Sequence, residues 1–153
     1  SSAMMTSETP RQPLPHGGHR VAAMPPETVA LLRESFALLA PRIDEFGAAF
    51  YRQLFESNPA LRNVFHGDME KQTHALTAML ELIIKLLDMR DKVVPLIHYL
   101  GDRHRAMQVR REYYAPFGEA LIATLAAFLG DKFTPELRRA WVQAYRYMAD
   151  NMR

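Results

Sequence analysis

From Pro26 to the end of the chain, apolar residues recur at the three-and-four spacing of an amphipathic helix, and no stretch alternates at period two for long enough to make a strand. Leu31, Leu32, Phe36 and Leu39 form a first stripe behind a Pro-Glu start, where proline costs no hydrogen bond. Phe46, Phe50, Leu54 and Phe55 form a second, on a helix beginning near Pro41. Asn58-Pro59 predicts the cap and first turn of a short helix that ends around Phe65-His66-Gly67. A long helix follows over about Asp68 to Leu87, with Leu76, Leu80, Ile83 and Leu87 on one side. The next covers about Asp91 to Met107, and another runs from Tyr114 to Leu129, closed by Gly130. Thr134-Pro135-Glu136 caps and opens the last, whose stripe is Leu137, Ala140, Trp141, Ala144, Tyr145, Met148 and Met152. About seven helices of unequal length, with no fixed repeat, argue against a solenoid or simple up-down bundle. An all-α set of this kind can wrap around a pocket.

Ahead of these helices, residues 1–25 carry Pro10, Pro13, Pro15, Gly17, Gly18 and Pro25 among polar residues, which predicts a disordered arm or linker before one domain over 26–153. The leading Ser-Ser-Ala-Met reads as a cloning scar, with Met5 the expected native start. A length of 153 residues suits one hydrophobic core. The most apolar run, Leu76 to Leu87, is broken by Thr77, Glu81 and Lys85 and falls well short of the ~20 residues a membrane span needs, so no membrane partner is expected.

A formal charge of only +2 gives no reason to expect nucleic acid as a partner. Arg103, Arg105, Arg110 and Arg111 form a local basic cluster, read as a solvated helix end. With no cysteine, disulfides, thiolate metal sites, iron-sulfur clusters and thioether-linked haem are excluded. Any metal must rely on histidine, carboxylate or tyrosine. No secretory signal is visible, and a reducing cytoplasm is the expected location.

Four histidines lie in the helical part: His66, His74, His98 and His104. His104 follows Ile97 by seven residues and Leu100 by four, which puts its imidazole at the end of an apolar stripe. A flat hydrophobic iron macrocycle needs such a wall, with a ring nitrogen for the axial bond and alkyl groups for the porphyrin. On spacing alone, a satisfied core histidine fits as well.

The segment Leu100-Gly101-Asp102-Arg103-His104, with Tyr114 ten residues on and then Pro116, Gly118, Glu119, Ala120 and Leu121, resembles the proximal region of bacterial haemoglobins and of flavohaemoglobin globin domains. Phe50-Tyr51-Arg52-Gln53-Leu54-Phe55 and Asn58 to Phe65 resemble the same family's second helix and its turn into the haem-contacting corner. Phe133 to Glu136 and Ala140-Trp141 with Tyr145 match its last helix, so the resemblance covers about Pro26 to Arg153. It implies a globin fold, a three-over-three helical sandwich around one haem b. His104 falls on the proximal iron ligand and Phe65 on the phenylalanine that stacks on the haem. Tyr51 falls on the distal tyrosine, Gln72 on the distal gate, and Leu76 one turn further faces the ligand pocket. Leu100 seats the macrocycle beside His104, and Tyr114 matches a proximal tyrosine. The glutamate that accompanies this tyrosine in members that turn over nitric oxide would fall just beyond Arg153.

The distal pair has a chemical logic of its own. A dioxygen ligand gains partial negative charge, so the Tyr51 phenol and the Gln72 amide can donate hydrogen bonds to it, each worth about 1 to 2 kcal/mol in a dry pocket. His74, two residues beyond Gln72, lies about 200° around the helix and is expected to face away. The resemblance implies a globin that reversibly binds O2, CO or NO at ferrous haem. Its alternatives are a nitric oxide dioxygenase served by an external reductase, or the gas-sensing module of a larger chain; without a Gly-rich dinucleotide motif, electrons would come from a partner.

Overall fold

Why the helices start and stop where they do follows from a few local signals. The computed structural model describes residues 24–152, and all regular structure among them is helical: α1 (Pro26–Leu39), α2 (Ile43–Ser57), α3 (Met69–Leu86), α4 (Arg90–Ala106), α5 (Tyr114–Leu129) and α6 (Pro135–Met152). Pro26 opens α1 without wasting an amide, the Asp68 carboxylate accepts from the Glu70 amide at the head of α3, and the Thr134 hydroxyl accepts from the Leu137 amide at 3.2 Å to cap α6. Gly130, at φ +55°, ends α5 in a conformation that a side chain would strain. The expected arm and Met5 start lie outside the described residues. No described helix is long and apolar enough to cross a membrane.

The helices form two layers, α1, α3 and α4 over α2, α5 and α6. Neighbours α1·α3, α3·α4, α2·α5 and α5·α6 touch within layers, while α2·α3, α4·α6 and α1·α6 touch across them. The core sits between. Trp141 of α6 is fully buried, and its indole donates 2.9 Å to the Ser35 hydroxyl on α1, so the one polar atom of that ring is satisfied. Arg33 of α1 reaches the end of α3, donating to the Lys85 carbonyl at 2.8 Å and to Asp88 at 2.9 Å. That contact lowers the Asp88 pKa, first through the hydrogen bond.

Two crossings allow helices to meet closely because a glycine stands there. A Cβ on Gly47 of α2 would lie 2.5 Å from Thr73 Cγ2 and 2.9 Å from Thr77 Cγ2 on α3. A Cβ on Gly101 of α4 would lie 2.8 Å from the Met152 carbonyl carbon at the end of α6, and closer still to its oxygen.

Three expectations need correction. The short helix expected after Asn58-Pro59 is a 3-10 helix, Pro59–Val64, with Pro59 in its first turn, but Asn58 makes no side-chain cap bond. Beyond it the chain straightens at Phe65 (φ −102°, ψ 118°) and turns at Gly67 (φ +91°) to enter α3. On α6, Tyr147 is buried while Tyr145 is half-buried. On α3, Leu80, Ile83 and Leu87 are buried as expected, but Leu76 stands half-buried, and Thr73 and Thr77 continue the buried side in its place.

Candidate functional site

The inner face of α4 is built by Val93, Ile97, Leu100 and Gly101, all buried, and His104 continues that line at the helix's carboxyl end. His104 is half-buried, and its Nδ1 is sealed from solvent without a hydrogen-bond partner. Burial lowers its pKa, with the Arg103 and Arg105 charges acting in the same direction, so the ring is held neutral. A neutral imidazole on an apolar wall is the form that ligates a metal. Among the described residues no three His, Cys, Asp or Glu side chains converge on a metal position.

Around His104 the backbone is tightly specified. α4 ends through Met107 and Gln108, the latter at φ +64°, and the Val109 amide donates 2.8 Å to the His104 carbonyl. Arg105 donates 2.6 Å to the Met152 carbonyl and pairs with Asp102, fastening α4 to the last turn of α6 beside the Gly101 crossing. The basic cluster is thereby partly neutralised: Arg105 with Asp102, Arg110 with Glu112 at 3.5 Å, and Arg103 over the Tyr99 ring at 6.0 Å.

Facing elements supply an aromatic group. Tyr51 of α2, only 7% exposed, meets Phe65 edge-on at 5.3 Å between centroids, and Phe65 stacks on Phe117 of α5 at 6.0 Å. Phe50 and Phe55 complete the set, Phe50 lying 6.1 Å from Phe117 and Phe55 5.6 Å from Phe65. Burial pushes the Tyr51 hydroxyl up to about 12, so it remains a protonated donor. On α3, Met69, Gln72, Leu76 and Met79 share one half-buried face at helical spacing.

Of the residues singled out from sequence, Tyr51 and Phe65 touch, Gln72 and Leu76 lie one turn apart on α3, and Leu100 and His104 lie one turn apart on α4. Tyr114 opens α5, and its carbonyl accepts from the Tyr145 hydroxyl at 2.5 Å. His66 and His98 are exposed, and His74 is on the outer side of α3, with its Nε2 3.5 Å from Asp44 Oδ1. Phe117, which bridges Phe50 and Phe65, and the Gly101 and Arg105 contacts with Met152 were not singled out from sequence. A glycine in mid-helix three residues before a candidate ligand is the signal that could have found the second.

Behind Tyr51 lies an open cleft of about 730 Å³ between α2 and α3. Tyr51, Phe55, Ala48, Met69 and Thr73 line it, and His104 does not.

The family model described as Globin matches residues 48–152. The chain is similar to the flavohemoprotein of Bordetella parapertussis, 33% identical over 132 residues that make up 82% of this chain and 32% of that protein. The flavohemoprotein of Bacillus subtilis is 26% identical over 127 residues, 81% of this chain and 32% of the relative. The chain thus spans about a third of the length of the curated relatives it matches. In structure it resembles a hexacoordinated heme protein from an anhydrobiotic tardigrade, with a TM-score of 0.77 over 89% of this chain and 96% of that one at 14% identity.

Proposed function

Because the chain belongs to the globin family, as a domain of the flavohaemoglobin type, we propose that it holds haem b through His104 and reversibly binds dioxygen or another diatomic gas on the side lined by Tyr51. The observation that carries this reading is His104: a neutral imidazole, at the end of an apolar helix face, with no partner for its buried Nδ1. The residues fit the group. When bound, haem would be held by His104 and would supply the iron at which a diatomic gas binds.

The chain's own residues do the rest. Leu100 and Ile97 exclude water from the His104 side, which lets the imidazole nitrogen compete as a ligand rather than be hydrated. Phe65, fixed by Tyr51 and Phe117, offers a flat aromatic wall. Tyr51 and Gln72 donate hydrogen bonds to a gas that carries partial negative charge, and Leu76 bounds the space it occupies. Carbon monoxide gains less from such donors because it is less polar when bound. A second reading, nitric oxide dioxygenation, takes its support from the relatives' name, flavohemoprotein; the same site would then draw electrons from an external flavin-bearing reductase.

The test is the pigment itself. Protein expressed with haem supplied should show a Soret band, and His104→Ala should lose haem or hold it loosely, with added imidazole restoring it. Wild-type haem content in His104→Ala, together with loss in His98→Ala, would overturn the assignment.

A further inference from the structure

Gly101, Asp102 and Arg105 bracket His104 on α4, and together they fix where that helix meets the last turn of α6. Gly101 is buried against the Met152 backbone, which leaves no room for a Cβ. One turn on, the Arg105 guanidinium divides its fork: one nitrogen donates 2.6 Å to the Met152 carbonyl, and the other donates to Asp102. Arg105 thus brings a donor and a positive charge to the carboxyl end of α6, where both are favoured. Asp102 does the reverse for its own helix. A carboxylate near the end of α4 opposes that helix's dipole, and its pair with Arg105 is exposed, so it adds little stability. What the pair supplies is direction: with one nitrogen held by Asp102, the planar fork aims the other at Met152.

Gly101 and Arg105 share one face of α4, and His104 projects about 100° around the helix from Arg105. Two contacts along one face, both with the same backbone unit of α6, oppose any roll of α4 about its own axis. Roll matters to a ring carried at the side-chain surface, where about 10° of it is about 1 Å of travel. Resting on the haem reading above, we propose that Arg105 is a positioning residue for the iron ligand: its bridge from Asp102 to the Met152 carbonyl sets the roll of α4, and so the angle at which the His104 ring meets the macrocycle. Arg105 acts through the backbone of α4 rather than on the gas. A displacement of the last turn of α6 is then felt at His104.

Arg105→Met keeps the alkyl stem and removes both donors. In the protein as purified, the amides of residues 104–109 should then exchange with solvent about tenfold faster, the effect of losing one charge-assisted hydrogen bond, while those of α2 and α5 keep wild-type rates. In the ferrous, gas-free protein the iron–imidazole stretching band of the resonance Raman spectrum should shift and broaden. Arg105→Lys separates geometry from charge: an ammonium keeps the charge but lacks the planar fork, so the band should recover only in part. Asp102→Ala, at an exposed helical position where alanine is favourable, should move the band the same way by less, and it keeps the question open to decision if Arg105→Met fails to fold. A wild-type band in Arg105→Met or in Asp102→Ala would overturn the proposal. So would faster exchange with an unmoved band, the mark of a merely structural clasp, or full recovery in Arg105→Lys, the mark of charge alone. Absence of a Soret band in the wild type would sink the haem reading itself, while exchange at residues 104–109 would still decide whether Arg105 holds the last turn of α4.

Discussion

The two walls of the candidate haem pocket are held by opposite means. On the Tyr51 side, rings interlock across three separate elements, α2, the corner at Phe65 and α5, and the α2–α3 contact at Gly47 is methyl against backbone. Such a wall is stable by packing and nearly indifferent to charge. On the His104 side, α4 is fastened at its end by polar contacts with α6, Arg105 to the Met152 carbonyl above all, and its last residues run into a left-handed Gln108. The first wall is preformed; the second is precise only if the seat on α6 is intact. On the proposed reading, affinity for the macrocycle and discrimination among gases would reside in different parts of the molecule and should fail separately.

Gly101→Ala is the strongest way to break the weaker wall. Its methyl would meet the Met152 backbone, which cannot fold away as a flexible side chain could, so overpacking of about 1–3 kcal/mol is expected. Urea unfolding should show that loss, and haem should leave the variant faster than the wild type. Equal stability and equal haem loss would mean that α4 has another seat.

Tyr51→Phe probes the other wall with its packing intact, since the rings differ by one hydroxyl. Oxygen dissociation should quicken about tenfold for every 1.4 kcal/mol removed, with carbon monoxide dissociation changing much less. Unchanged oxygen release would remove Tyr51 from the site. The same variant sharpens the comparison at high pH. The folded-state pKa of about 12 lies above the unfolded value of 10.0, so burial of the neutral phenol adds stability that is whole below pH 10 and lost as pH rises toward 12. Tyr51→Phe should be spared that share of alkaline destabilisation.

Smaller effects follow at the end of α4. Gln108→Gly relieves a side chain at positive φ and should stabilise the fold by up to about 1 kcal/mol, read as a raised urea midpoint. Smallest of all should be Tyr114→Phe, which keeps both the ring and the backbone carbonyl that accepts from the Tyr145 hydroxyl. The ferrous spectrum and redox potential should therefore shift only slightly, and a large shift in either would place the phenol in the network around His104.

How much of this was legible in the sequence depends on how local the cause is. The six α-helices are written in apolar spacing, and α5 and α6 even in their stops and caps, because Gly130 and Thr134 act within a few residues. His104 could be singled out because Ile97 and Leu100 precede it on one helix face. Phe117 was hidden by its own surroundings: α5 is apolar nearly all round, so no stripe distinguishes the side that meets Phe65. Tyr147 and Tyr145 sit two positions apart on α6, and only the neighbouring helices decide which is buried. The cleft had no sequence signature at all, since it is the space left by a crossing angle rather than a property of either helix.

The fastening of α4 to Met152 also bears on the order in which the molecule is made. Arg105 and its acceptor are 47 residues apart, whereas the rings around Phe65 that belong to α2 are close neighbours in the chain. A ribosome releases the chain from its amino end, so the Tyr51 wall has its parts in hand while α6 is still unmade. His104 cannot settle into place until Met152 has emerged. On the proposed reading, pigment capture waits for α6, and a nascent chain stalled before it should remain colourless while already holding most of the Tyr51 wall.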